Sequence, residues 1–308
     1  MKNVKGALIL LIAAFIWGVA FVAQASAADE VGSFTFNASR SFVATVFLGA
    51  LIFVRRRGKS GKSIDSAPSG KRLLIGGALC GVALFAASNF QQAGIAMYPD
   101  GVAAAGRSGF LTATYVVMVA LTSVFFKKRL HPLVLLAALC TVAGMYLLCL
   151  SGGLGGIYLG DVMELICAVC FTVHILVIDR FSSFDSVKLS LTQFVVSGLL
   201  SLVCALIFEK PHLSDVLSSW VPIVYTGLFS SGIAYTLQMV GQKYAEPAVA
   251  SITMSLESVF SVLAGWLLLN ERLSPRELFG CALVFAAVLI AQAPEFVKAG
   301  SASSEAVR

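Results

Sequence analysis

Ten apolar stretches of bilayer-spanning length decide what this chain can fold into. They run approximately over 6–27, 33–54, 73–97, 102–126, 133–151, 158–178, 187–208, 219–241, 247–269 and 276–293. Each is close to the roughly 20 residues a helix needs to cross the hydrocarbon core. Inside a bilayer every backbone N–H and C=O must be satisfied within the protein, so runs of this length are read as helices. The composition agrees: 58% of residues are hydrophobic and 12% charged, against about 25% charged in a globular protein. The third stretch is the least clean, because Ser88-Asn89-Phe90-Gln91-Gln92 interrupts its apolar run. The expected fold class is an all-α membrane protein with ten transmembrane helices.

A formal charge of +6 on a soluble chain would suggest a nucleic-acid partner. Here the basic residues flank apolar segments, so topology explains them and no nucleic acid is called for. With the first residue inside, Lys2, Lys5, Arg55, Arg56, Arg57, Lys127, Lys128 and Arg129 all fall on cytoplasmic segments, which predicts that both termini are cytoplasmic. Lys2, Lys5, the apolar run and Ala25-Ser26-Ala27 imitate a signal peptide. Against cleavage, Gly6 to Val22 can be laid on Gly160 to Leu176, and the first stretch is expected to remain as a helix. The basic loop from Arg55 to Arg72 contains Gly61-Lys62-Ser63, like the end of a phosphate-binding loop. Arg56 stands where that loop needs its first glycine, so the segment is read as a positive anchor near the anionic leaflet.

The chain also repeats itself. Laying Arg129-Leu130 on Arg272-Leu273 places Pro132 on Pro275 and Thr114 on Glu257. Five spans per copy is an odd number, so the second copy enters the membrane upside down, an arrangement typical of secondary transporters. The predicted organisation is two inverted five-helix repeats, 1–151 and 152–295, and a short cytoplasmic tail, 296–308.

Three groups of residues carry a family resemblance. They are Phe15-Ile16-Trp17-Gly18, then Phe110-Leu111-Thr112-Ala113-Thr114-Tyr115-Val116-Val117, then Ser255-Leu256-Glu257-Ser258-Val259-Phe260 with Asn270-Glu271-Arg272-Leu273. The chain resembles the ten-helix EamA transporters of the drug/metabolite transporter superfamily over nearly its whole length. The resemblance implies a central pathway built from spans one to four and six to nine, spans five and ten as scaffold, and export of amino acids or other small metabolites across the bacterial inner membrane. It departs at Ser258, where the family often has proline, and span one carries no acidic residue.

The polar residues within the spans are the candidate pathway. Glu257 is near the middle of its span, where a charge costs about 2.5–3.5 kcal/mol on insertion scales. It is either a proton or cation site or a buried helix-to-helix contact. Arg107 and Arg40 lie inside the membrane on spans four and two; each would clasp a substrate carboxylate, snorkel to the headgroups, or pair with Glu164 on span six. Asn89, Gln92 and Gln238 either line the pore or hold helices together; Gln92 and Gln238 match when Tyr98 is laid on Tyr244. Tyr115 belongs to the span-four motif, and Trp17 is deep enough to wall a cavity. Trp220 and Trp266 look like interfacial anchors. His174 is read as packed rather than as a switch.

The expected partners are membrane lipid, a small-molecule substrate and protons, with no cofactor. Seven cysteines all fall inside apolar stretches, and Cys167 and Cys170 have no second ligand pair for a metal. An intramembrane enzyme would need a catalytic cluster at one depth; there is no H-E-x-x-H, and His131, His174 and His212 are scattered. A passive facilitator is the remaining alternative to a carrier.

Overall fold

The computed structural model describes residues 2–58, 70–99, 101–125, 132–149, 158–245, 247–269 and, between 274 and 290, residues 274–276, 278–280, 282, 283, 286, 287 and 290. In chain order the helices are α1 (Lys2–Ala27), α2 (Ser33–Gly58), α3 (Gly70–Ala96), α4 (Ala104–Thr112), α5 (Tyr115–Phe125) and α6 (Pro132–Cys149). They continue as α7 (Leu159–Arg180), α8 (Ser186–Phe208), α9 (Leu213–Ser218), α10 (Trp220–Tyr225), α11 (Tyr235–Gly241), α12 (Pro247–Met254) and α13 (Leu256–Leu269). Among the described residues there is no β-strand.

Among the described residues eight spans are long and apolar enough to cross a membrane. The fifth expected span is a shorter apolar helix over Pro132–Gly144, and half of the tenth falls outside the described residues. Gly61-Lys62-Ser63 also lies outside them, while α2 and α3 reach into the basic segment as far as Gly58 and Gly70. The polar run 88–92 does not interrupt the third span: α3 passes through it with Ser88, Asn89, Gln91 and Gln92 buried. A bilayer helix closes its own backbone bonds whatever its side chains are, so polar residues there choose a neighbour rather than end the helix.

Polarity runs opposite to that of a water-soluble bundle. Phe42, Leu206, Ile207 and Phe208 are largely exposed, while Gln92, Glu164, His174 and Gln193 are fully buried. Apolar surface on this scale has no place in water, and lipid is its natural solvent.

The two halves of the sequence intercalate. Helix α1 packs along α13, α2 along α8, and α3 along α7 and α8. Close approach of α1 and α13 depends on Gly18, where a Cβ would come within 2.3 Å of Phe260 Cβ and 2.9 Å of the Ser261 backbone nitrogen; small residues admit such backbone proximity. At the face where α1 ends, Glu209 beyond α8 takes up the uncapped first turn of α2. Its carboxylate accepts from the amides of Phe34 at 2.8 Å and Thr35 at 2.7 Å, two donors that a helix start otherwise leaves unsatisfied.

Among the described residues three spans are broken or distorted. The fourth is interrupted at Ala113–Thr114, between α4 and α5, and the ninth at Ser255, between α12 and α13. In the eighth, Thr226–Ala234 forms a π-helical stretch between α10 and α11. Wide turns of this kind often mark functional positions, and all three irregularities fall around one internal cavity.

Candidate functional site

A narrow cavity of about 30 Å³ lies between helices from both halves of the chain. Trp17, Ala20, Phe21 and Gln24 of α1 form one wall; their i, i+3, i+4, i+7 spacing puts them on a single helical face. Arg40 enters from α2 and Gln91 from α3, and Phe171 and Ile175 from α7. Ser230, Tyr235 and Gln238 come from the distorted eighth span, Met254 and Glu257 from the two sides of the ninth-span break.

Aromatic rings make much of the surface. Trp17 meets Tyr235 edge-on with centroids 4.9 Å apart, and Tyr115 meets Phe171 at 6.5 Å. The Trp17 indole donates to the backbone oxygen of Ser230 at 3.3 Å, a carbonyl within the π-helical stretch. The two helix breaks bring their neighbouring residues together. Tyr115 follows one, Glu257 follows the other, and both line the cavity.

Arg40 is 4% exposed and donates to Gln24 Oε1 at 3.3 Å, with its guanidinium 5.9 Å from the Phe36 ring centre. Among the described residues no carboxylate pairs with it. The sequence left open snorkelling or a pair with Glu164, and neither is seen; the guanidinium lies against the cavity. A buried cation without its counter-charge costs several kcal/mol, so the cavity is suited to an anionic group from outside the chain.

Arg107 is engaged elsewhere. Its Nε is 2.6 Å from Asp161 Oδ1 and its Nη2 donates to Oδ2 at 2.7 Å. The Tyr98 hydroxyl donates to Asp161 Oδ1 at 2.9 Å, and the Tyr158 amide to Oδ2 at 2.8 Å. Burial, with the charges of Glu164 and Asp161 nearby, pushes the Tyr98 phenol above its usual range, which keeps it a donor. The sequence offered Glu164 as partner for an arginine. Instead Asp161, one helical turn earlier on the same face of α7, takes that role. Glu164 is bound by hydroxyls, with Ser108 Oγ donating to Oε1 and Thr112 Oγ1 to Oε2 at 2.8 Å.

Asn89 and Gln92 do not line the cavity. The Asn89 amide donates to Ser201 Oγ at 3.0 Å and its oxygen accepts from Asn37, tying α3 to α8 and α2. Gln92 donates to the Gln24 backbone oxygen at 3.1 Å. Gln91, one residue earlier, is the amide that reaches the cavity, together with Gln238. His174 is fully buried behind Tyr235, ring centres 5.7 Å apart, with Nε2 3.0 Å from Gln193 Oε1. Trp220 and Trp266 are exposed on the outer surface.

Sequence reasoning missed Gln24, Gln91, Asp161 and Tyr235. Gln24 had a signal, since it is two turns from Trp17 on the same face, and Asp161 had one as a second carboxylate in the first turn of α7. Gln91 had none that distinguishes it from its neighbour. Among the described residues no group of three or more His, Cys, Asp or Glu is arranged to hold a metal ion, and Cys80, Cys140, Cys167, Cys170 and Cys204 are free thiols.

The sequence model of the EamA-like transporter family matches residues 4–150 and 158–292. A protein of Archaeoglobus fulgidus, described as an uncharacterized transporter, is 28% identical over 292 residues, spanning 94% of this chain and 86% of its own length. A crystal structure at 23% identity superposes with a TM-score of 0.74 over 94% of this chain and 96% of that one; at that identity the likeness concerns the fold alone.

Proposed function

Given that the chain belongs to the EamA-like transporter family, a multi-pass membrane transporter, we propose that it is a secondary carrier exporting amino acids or other small amphoteric metabolites across the inner membrane by alternating access. One observation carries this reading: a cavity walled by aromatic rings that holds a buried arginine, Arg40, with no carboxylate partner among the described residues, and separately a carboxyl, Glu257. A substrate carboxylate suits the Arg40 fork, a substrate ammonium suits Glu257 and Tyr115, and Trp17, Phe171 and Tyr235 take an apolar side chain. Glu257 is also the residue proposed to exchange protons as counter-ion, because an ionisable group inside a membrane is costly to keep without a function.

The reading includes two inverted five-helix repeats, 1–151 and 152–295, with both termini and the tail 296–308 in the cytoplasm. It is supported by the family match over two successive segments and by the helix breaks at Ala113–Thr114 and Ser255, which nearly coincide when Thr114 is laid on Glu257. Broken helices near the bilayer midplane are a recurring feature of carrier sites. The assignment as a carrier rather than an enzyme rests on the family.

The test is uptake and efflux of a metabolite panel in proteoliposomes, with and without a pH gradient. Zwitterionic amino acids are expected to move faster than their amides or decarboxylated amines, and a proton gradient is expected to drive them. Movement of none of the panel, or equal rates for all three classes, would overturn the substrate assignment.

A further inference from the structure

Beneath the cavity wall lies a carboxyl that the transport reading leaves unused. Glu164 is fully buried on α7, and a chain of hydrogen bonds joins it to the cavity. Gln91, which lines the cavity, donates from Nε2 to Thr112 Oγ1 at 3.2 Å, and Thr112 donates in turn to Glu164 Oε2 at 2.8 Å. Ser108 donates to the other oxygen. With Glu164 ionised, every donor in this chain points toward it.

Resting on the carrier reading above, we propose that Glu164 is a second proton-exchanging carboxyl, and that its protonation decides which end of the Gln91 amide faces the cavity. A hydroxyl has one hydrogen to give. While Glu164 is ionised, Thr112 spends that hydrogen on Oε2 and accepts from Gln91, so the amide oxygen is the end left for a ligand. When a proton from solvent settles on Oε2, the carboxyl becomes the donor to Thr112. The threonine hydrogen must then find another acceptor, and the Gln91 oxygen is within its reach once the amide turns over. The amide NH₂ is then presented to the cavity. A site offering an acceptor suits a substrate donor, and a site offering a donor suits a carboxylate or carbonyl.

Three observations place the switch at Thr112 rather than at Ser108. Thr112 has three polar neighbours, Gln91, Glu164 and the Cys167 sulfur at 4.0 Å, so it has somewhere to turn. It is the last residue of α4, beside the interruption of the fourth span. Glu164 Oε1 is hemmed in, since even a Cβ built on Gly94 would lie 2.9 Å from it. The ionisable groups around Glu164 are Tyr98 beyond α3, Arg107 on α4 already paired with Asp161, Cys167 on α7 and Glu257 on α13. The pairing of Arg107 with Asp161 leaves Glu164 its hydroxyl partners alone.

The test is pH-difference infrared spectroscopy of the full-length protein in lipid nanodiscs, a readout that needs no substrate and so stands or falls apart from the carrier reading. Bands are assigned by their loss in Glu164→Gln, Glu257→Gln and Gln91→Leu. Two carboxyl bands are expected, one lost in each acid variant, with the Gln91 amide band shifting in step with the Glu164 band. In Thr112→Val the Glu164 band is expected to persist and the amide shift to vanish. That variant keeps the test open if Glu164→Gln does not fold. A Glu164 band that does not titrate anywhere in the folded range would overturn the proposal. So would an amide band that stays fixed in the parent protein, or one that still shifts in Thr112→Val.

Discussion

Arg107 and Asp161 meet in a two-point contact, Nε to Oδ1 at 2.6 Å and Nη2 to Oδ2 at 2.7 Å, that closes α4 against α7. The fork geometry uses both carboxylate oxygens and takes the arginine out of competition for a ligand. Its job is to hold together the two helices that carry Ser108, Thr112 and Glu164.

Loss of either partner is accordingly expected to destabilise the protein without changing substrate preference. Arg107→Ala or Asp161→Ala should each cost on the order of 2–3 kcal/mol, the size of charged hydrogen bonds left unmade in a mostly buried site. The double variant should cost less than the sum. Thermal unfolding in detergent measures the first, and rates for carboxylate-bearing against neutral substrates measure the second. A selective loss for carboxylates would return Arg107 to the pathway.

Arg40 should behave in the opposite way. Arg40→Ala is expected to weaken half-saturation for carboxylate-bearing substrates by roughly 10- to 100-fold, matching about 1.5–3 kcal/mol for a charge-assisted bond, while neutral analogues change little. Arg40→Lys should recover only part of it, because a lysine cannot make the planar two-point contact. Concentration-dependent uptake checks both.

Gly18→Ala tests the packing of α1 on α13. The added methyl would sit against Phe260 Cβ and backbone atoms, which cannot swing aside, and overpacking of this kind costs about 1–3 kcal/mol. Gly49, with open space where its Cβ would be, is the control, and Gly49→Ala should stay within about 0.5 kcal/mol. Equal melting temperatures for the two variants would refute the packing account.

These residues also mark how far the sequence could be read. Eight of the ten expected spans were legible because bilayer thickness fixes their length, and Glu257, Tyr115, Trp17, Arg40 and Gln238 face the cavity. Choices between near neighbours were not legible. Gln91 and Gln92 are adjacent in sequence but about 100° apart around a helix, and hydropathy carries no phase for a helix buried on several sides. Symmetry with Gln238 favoured Gln92, yet packing turned α3 so that Gln91 reaches the cavity. Asp161 and Glu164 are one turn apart and chemically alike, so only the relative height of α4 and α7 could say which one meets Arg107. The π-helical stretch had no sequence signal that was recognised, although it carries Ser230.

For Glu257 the expectation concerns coupling. Glu257→Gln keeps the shape of the side chain but cannot exchange a proton. Flux driven by a pH gradient should fall to that of empty vesicles, while the variant stays folded by circular dichroism. Undiminished gradient dependence would remove Glu257 from the coupling step.

The central claim is that the cavity between Arg40 and Glu257 carries substrate by alternating exposure to the two sides of the membrane. Counterflow in proteoliposomes tests it most directly: vesicles preloaded with unlabelled zwitterionic amino acid are diluted into a trace of the labelled compound. A carrier should draw label in transiently above its outside concentration, saturably, and Arg40→Ala should shrink the overshoot at the same preload. Label that rises only to equality, with no overshoot and no saturation, would mean an open pore and would contradict the account.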